Sequence, residues 1–148
     1  MYDSIGQYAE DRRKHFEGKA NRNKKEALFC FIVIIASSIS APIFITLSNE
    51  VLIGKIIPSI LSILSAGLTT WLQVRKPQKL WGLYRDAQRL IEKNIIDFEF
   101  ETNEYNSNPL KDKLLVEYVS EICLKAHKDW LNEIPTPELI TFNEKKIK

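Results

Sequence analysis

The sequence predicts an all-α membrane protein, built from a two-helix transmembrane hairpin and a small cytoplasmic helical bundle. Three observations lead to this fold class. Charged residues are excluded from two long apolar windows, a short turn separates those windows, and the polar remainder carries apolar residues at helical spacing. The overall composition, 45% hydrophobic and 27% charged, conceals this division because it averages a very apolar third of the chain with a very polar remainder.

The two apolar windows are both long enough to cross a bilayer. Residues 27–49 form a window of 23 residues without a charge, and residues 56–74 form a second of 19 residues. A helix needs about 20 apolar residues to cross the hydrocarbon core. A cleaved signal peptide does not fit, because 26 mostly polar residues precede the first window. Two buried helices of a soluble bundle are the alternative, and the rest of the chain has little apolar surface to wrap them.

The short connection and its flanks predict the topology of the hairpin. Only residues 48–55 join the two windows, so the helices must run antiparallel. The positive-inside rule places the side richer in Lys and Arg in the cytoplasm. The connection offers only Lys55, whereas the outer flanks carry Arg12, Arg13, Lys14, Lys19, Arg22, Lys24, Lys25, Arg75, Lys76 and Lys79. We therefore expect both termini to be cytoplasmic.

A stripe of small hydroxyl side chains follows one face of the second window. Ser59, Ser62, Ser65 and Thr69 recur every three or four residues, which places them on one side of a helix. Such a stripe has two uses in a bilayer: close packing of helices, or the lining of a water-filled path in an oligomer. Both interpretations remain open, and packing is the commoner use because a hydroxyl can also bond its own backbone.

The polar remainder of the chain predicts further helices. Apolar residues at spacings of three and four predict an amphipathic helix over residues 80–98 and a second over residues 110–134, joined by a polar turn. The amino-terminal segment is compatible with helix, with breaks at Gly6 and Gly18, so that three helices can form a bundle. The predicted divisions are a cytoplasmic basic helical segment (1–26), the transmembrane hairpin (27–74), a cytoplasmic helical hairpin (75–134) and a flexible polar tail (135–148).

Catalytic and ligand-binding motifs are not evident in the sequence. We find no glycine-rich phosphate loop and no nucleophile beside a plausible base, so we expect no enzyme activity. Cys30, Cys123, His15 and His127 are too scattered for a metal site, and we expect no metal and no cofactor. The basic amino-terminal run is interpreted as a determinant of topology and an attraction for anionic lipids, with no direct contact to nucleic acid.

The order of the parts resembles a known family. A basic Ala20-Asn21-Arg22 segment and a two-span hairpin are followed by Trp81-x-x-Tyr84-Arg85, and then by a helix carrying Glu121 and Trp130. This arrangement resembles the SLATT family of two-transmembrane effector domains in bacterial conflict systems. The resemblance implies a bacterial inner-membrane effector of antiphage defence that oligomerises, forms a pore or otherwise disrupts the membrane, and causes abortive infection. It offers no catalytic residues to carry over.

The expected partners follow from the same resemblance. A domain of this kind needs a trigger, and we expect either a sensor protein or a nucleotide second messenger to act on the cytoplasmic helices or on a pocket between protomers. Membrane lipids and further copies of the chain complete the expected partners. The alternative function is a membrane anchor or scaffold that holds a cytoplasmic partner at the bilayer without conducting.

Overall fold

The computed structural model describes residues 4–133, and within that range the chain folds into helices without strands. The predicted flexible tail, residues 135–148, lies outside the described residues. The helices, in chain order, are α1 (Ile5–Leu47), a π-helical turn (Leu52–Ile56), α2 (Ile57–Arg75), α3 (Pro77–Glu99), a 3-10 turn (Asn103–Tyr105) and α4 (Lys111–Glu133).

The first helix is continuous from the basic segment to the end of the first apolar window. Ser4 caps its amino end by accepting a hydrogen bond from the backbone N–H of Gln7 at 3.2 Å. The predicted breaks at Gly6 and Gly18 are wrong, because α1 runs unbroken for 43 residues, about 65 Å at 1.5 Å per residue. A glycine costs a helix only about 1 kcal/mol, and packing along α1 on both sides of Gly18 offsets that cost.

One seam of α1 contacts both of its partners. The buried residues of this seam recur at spacings of three, four and seven: Phe16, Ala20, Asn23, Ala27, Cys30, Ser37 and Ala41. Such spacing marks a single stripe along a helix. The amino-terminal part of α1 packs against α3, and its apolar part packs against α2. From Ala20 onwards the seam holds only small side chains and one asparagine, so the neighbouring helices can approach closely.

The turn of the hairpin is shorter than the sequence predicts. Helical structure resumes at Val51, so only residues 48–50 are non-helical. Ser48 accepts a hydrogen bond at its Oγ from the backbone N–H of Glu50, and Gly54 donates its N–H to the Glu50 carbonyl at 2.8 Å. A Cβ on Gly54 would lie 2.7 Å from the Ser48 carbonyl oxygen, so the close return of the chain requires glycine here.

The joint between α2 and α3 is a single residue. Lys76 adopts a left-handed conformation with φ 47°, which is uncommon outside glycine. Its N–H closes α2 on the Leu72 carbonyl, and its own carbonyl accepts from Leu80 in the first turn of α3. Pro77, at the first position of α3, is fully buried. The chain therefore changes direction here without a loop.

The three-helix bundle consists of the amino-terminal part of α1 together with α3 and α4, as predicted for three helices. Its buried core draws on all three: Ala9, Phe16, Ala20, Leu80, Tyr84, Ala87, Ile91, Leu115, Val119 and Ala126. The connection between α3 and α4 also contributes, because Tyr105 is only 2% exposed and its hydroxyl donates to Asn94 at 3.1 Å. The sequence predicted this connection as a polar turn and gave no sign of a buried aromatic residue within it.

Candidate functional site

The apolar part of the hairpin is largely uncovered. Only 17% and 11% of the residues in the two most apolar windows are buried within the protein. The exposed side chains are large and apolar on both helices: Leu28, Phe29, Phe31, Ile32, Ile35, Ile39, Ile43, Phe44 and Ile45 on α1, and Ile60, Ile63, Leu64 and Val74 on α2. Soluble monomers rarely expose a continuous apolar surface of this extent. Both helices are long and apolar enough to cross a membrane.

The hydroxyl stripe of α2 divides into two kinds of residue. Ser59, Ser62 and Thr69 donate to the backbone carbonyls four residues earlier in the same helix, at 2.7, 2.9 and 2.8 Å. All three side chains are exposed beside the contact with α1. A hydroxyl bonded in this way is tolerated in an apolar medium and retains acceptor capacity for another partner. The assignment of these residues to a pore lining stays a prediction.

Ser65 is the member of the stripe that contacts the first helix. Its Oγ donates to the Ile34 carbonyl at 3.3 Å and lies 3.3 Å from the Ser38 Oγ. Hydroxyl contacts of this kind join neighbouring helices where side chains are small. Ser65 therefore belongs to the packing between α1 and α2.

A polar cluster lies where the apolar windows end. Glu26, one residue before the first window, accepts from the Trp71 indole N–H at 3.0 Å and from Arg75 Nε at 3.2 Å. The three side chains link α1 to the carboxyl end of α2. The sequence singled out Arg75, as one of the basic flanking residues, but not Glu26. The signal for Glu26 was an acidic residue among basic ones at the edge of an apolar window.

A second ionic link ties α4 to the joint between α2 and α3. Glu133, the last described residue, lies 3.1 Å from Lys76 Nζ and 3.4 Å from Lys79 Nζ. The hydrogen bond from Lys76 is the main reason that the pKa of Glu133 lies below its ordinary value. This link connects the end of the three-helix bundle to the base of the second apolar helix.

Two short stretches that carry the family resemblance meet between α1 and α3. Ala20 is fully buried in the same core as Tyr84, and Arg85 reaches Asn21 Oδ1 at 3.4 Å. Arg85 also donates to Gln88 Oε1 at 2.7 Å. Burial raises the pKa of Tyr84 above its ordinary value. These residues hold the bundle together at the contact between α1 and α3.

The other residues of the resemblance lie apart from that contact. Trp81 is 37% exposed on α3, and Glu121 is exposed on α4. Trp130 is half-buried on α4 and stacks on His127, with ring centroids 5.8 Å apart and an interplanar angle of 24°. The structure thus brings Tyr84 and Trp130 to one groove of the bundle and leaves Trp81 and Glu121 at its surface.

Fold and surfaces together define a class: an all-helical protein with two helices able to span a membrane. A family model described as "Protein of unknown function (DUF4231)" matches residues 11–113, more than half of the chain. The protein belongs to the DUF4231 family. A comparison with curated proteins finds no match, and a comparison with solved structures finds none. The matched family has a different description from the SLATT family, so that more specific resemblance stays a prediction.

Proposed function

We propose that the chain is an integral protein of the bacterial inner membrane, which oligomerises and permeabilises that membrane as an effector of antiphage defence. The observation that carries this proposal is the uncovered hairpin, which presents apolar side chains around both helices and a strip of hydroxyls beside their contact. Lipid tails satisfy the apolar side chains. The hydroxyl strip, Ser59, Ser62 and Thr69, retains acceptor capacity beyond its backbone hydrogen bonds, and a donor on a second copy of the chain can use it.

Several copies are needed because two helices cannot enclose a path for ions. Around the circumference of α2, at about 100° per residue, Thr69, Ser62 and Ser59 lie next to the side that contacts α1. The large apolar side chains lie beyond them. In a closed ring of hairpins, each hydroxyl strip lies beside a neighbouring copy or faces the central axis. Both arrangements keep the hydroxyls away from lipid.

The continuous α1 supplies a mechanical link between the bundle and the membrane. Because one helix belongs to both parts, a displacement of its amino-terminal part moves its apolar part as well. The Glu26 and Glu133 links fix the base of α2 to α1 and to α4. A trigger opens such an assembly only by binding the open form more tightly, and a tens-fold preference corresponds to about 2 kcal/mol.

The test combines a cellular and a purified measurement. Cells that express the chain with its genomic neighbours are challenged with phage, and a membrane-potential dye is followed. We expect depolarisation before lysis. In parallel, purified protein is reconstituted into liposomes loaded with a fluorescent dye. Resistance to phage at an unchanged potential, together with liposomes that stay sealed with the activating neighbour present, would refute permeabilisation.

A non-conducting anchor is the second candidate function. Its support is that Ser59, Ser62 and Thr69 are all satisfied within their own helix, so that no water-filled path is needed to explain them. An anchor tolerates replacement of residues 27–74 by an unrelated two-span hairpin, whereas a permeabilising effector loses its activity. Protection against phage by such a chimera, compared with the native chain at equal expression, separates the two functions.

A further inference from the structure

A groove of about 420 Å³ opens between α1, α3 and α4 of the three-helix bundle. Its floor is formed by the buried residues Phe16, Tyr84 and Ala126, one from each helix. Its remaining lining consists of Arg12, His15, Lys19, Cys123, His127 and Trp130. Small-molecule sites in proteins typically measure about 300–1,000 Å³. The groove is therefore large enough for a small organic ligand and is complete within one copy of the chain.

The charge of the groove has one sign. Arg12, His15 and Lys19 recur at spacings of three and four, so they project from the same face of α1. Among residues 4–133, no carboxylate contributes to the lining. Burial, followed by the charges of Lys19 and Arg12, lowers the pKa of His15 below its ordinary value. The attraction for an anion comes from the positive charges of Arg12 and Lys19 on this face.

The floor of the groove and its α4 side carry aromatic rings. The rings of Trp130 and His127 stack on α4, and Phe16 lies 6.1 Å from Tyr84 between the centroids of the rings. Lys19 Nζ lies 5.3 Å from the centre of the Tyr84 ring, at the boundary between the cationic and aromatic sides. Exposed aromatic faces bind the bases of nucleic acids and nucleotides by stacking. Cations and aromatic rings thus line the same groove, as a ligand that carries both a phosphate and an aromatic base requires.

We propose that this groove binds a soluble nucleotide, with the phosphate groups on Arg12 and Lys19 and the base against Trp130. The guanidinium group of Arg12 and the ammonium group of Lys19 are the usual protein partners of phosphate. The groove joins α1 to α4, so a bound nucleotide favours whichever arrangement of these helices fits it better. Only this regulatory consequence rests on the proposed membrane function; binding itself does not.

A lipid headgroup offers the same phosphate but does not reach the groove. Lys19 precedes the first apolar window by eight residues and Arg12 by 15, which correspond to about 12 and 22 Å along α1. The headgroup layer on each side of the hydrocarbon core is only about 5–8 Å thick. The groove therefore faces the solution, and we assign it to a soluble ligand.

Calorimetry on the full-length protein in nanodiscs of neutral phosphatidylcholine tests this assignment. The probes are the four ribonucleoside triphosphates, adenosine and inorganic phosphate. We expect at least one nucleotide to bind with a Kd below about 1 mM, and adenosine and phosphate to bind at least about tenfold more weakly. The proposal would be overturned if inorganic phosphate bound as tightly as each of the four nucleotides. It would also be overturned if no nucleotide bound with a Kd below about 1 mM.

Substitutions locate the binding. The double variant Arg12→Gln/Lys19→Gln should weaken nucleotide binding at least about tenfold, and Arg12→Lys/Lys19→Arg should restore most of it. Lys14→Gln, which removes an exposed cation of the same helix outside the groove, is the matched control. Trp130→Leu should weaken binding of the nucleotide but not of phosphate, and Trp130→Phe should retain it. Circular dichroism checks that each variant is folded. Equal binding by the double variant and the Lys14→Gln control would contradict the proposal.

Two further measurements distinguish a soluble nucleotide from a lipid headgroup, and binding in the groove from permeabilisation of the membrane. Nanodiscs that contain phosphatidylglycerol should bind the nucleotide with the same Kd; competition by this lipid would instead assign the groove to headgroups and overturn the proposal. Dye leakage from liposomes is measured with and without the bound nucleotide. Binding without leakage upholds the groove and counts against permeabilisation, whereas leakage without binding does the reverse.

Discussion

Gly54 shows how one residue determines whether the hairpin can close. A methyl group added there meets a backbone carbonyl, which cannot rotate away as a side chain would. Gly54→Ala should therefore lower the free energy of unfolding by about 1–3 kcal/mol. The matched control is Gly67→Ala in the middle of α2, where nothing lies within 4 Å and the better helix propensity of alanine makes the change neutral or stabilising. Thermal unfolding in detergent measures both; equal midpoints would contradict the close approach.

The ionisation of Glu133 should make the stability of the protein depend on pH. Its pKa lies below the ordinary value of 4.5, so its link to Lys76 and Lys79 contributes stability above that pH, and the contribution is lost as the pH falls through the lower folded value. Glu133→Gln should destabilise the protein at neutral pH and make no difference in strong acid. Unfolding midpoints from neutral to strongly acidic pH check this. The control is Glu117→Gln, which changes an exposed residue of the same helix. If the two variants changed the unfolding midpoint equally, the link of Glu133 to Lys76 and Lys79 would not contribute to stability.

The packing of α1 against α2 depends on the small residues along one seam of α1. Ala41 lies in this seam with 9% of its surface exposed, whereas Ala36 is exposed on the same helix. Ala41→Leu should separate the two helices and cost about 1–3 kcal/mol, because inserted methyl groups force neighbours out of position. Ala36→Leu should have little effect. Unfolding of purified protein in detergent compares them, and two equally stable variants would show that the seam does not set the distance between the helices.

The hydroxyl strip of α2 carries the prediction that concerns conduction. Ser62→Leu/Thr69→Leu removes two exposed hydroxyls, and leakage of dye from liposomes should fall by at least about tenfold if they face a water-filled path. The control, Ile60→Leu/Ile63→Leu, changes exposed apolar residues of the same helix outside the strip. Leakage that is equal in the two double variants would remove the strip from the path and favour the anchor.

The distribution of charge predicts the orientation of the whole molecule in a membrane. Basic residues flank the open ends of the hairpin, while the connection between the two apolar windows, residues 48–55, holds a single lysine. Both ends of the chain should therefore lie in the cytoplasm. Fluorescent protein fused to the carboxyl end should fluoresce, since it folds in the cytoplasm, and alkaline phosphatase inserted in the turn should be active outside. An active phosphatase at the carboxyl end would reverse the topology.

Much of the fold is encoded locally and was predicted for that reason. Exclusion of charge and a helical period are properties of neighbouring residues, so the two apolar helices, the hairpin turn and the helices α3 and α4 followed from the sequence within a few residues. The breaks at Gly6 and Gly18 were wrong because local helix propensity omits the packing of α1 against α3. Tyr105 was missed because a connection read by composition gives no sign of what its side chains contact.

The candidate sites divide in the same way. The sequence by itself placed Ser59, Ser62, Ser65 and Thr69 on one face of a helix, since periodicity alone determines a face. The packing of the helices determines that Ser65 contacts α1, whereas the other three hydroxyls donate hydrogen bonds to backbone carbonyls four residues earlier. The sequence does not show this difference. The tertiary structure alone also brought Arg12 and Lys19 together with Trp130, more than 100 residues away along the chain, to form one groove. Contacts between distant residues depend on how whole helices pack, and no short stretch of sequence contains that information.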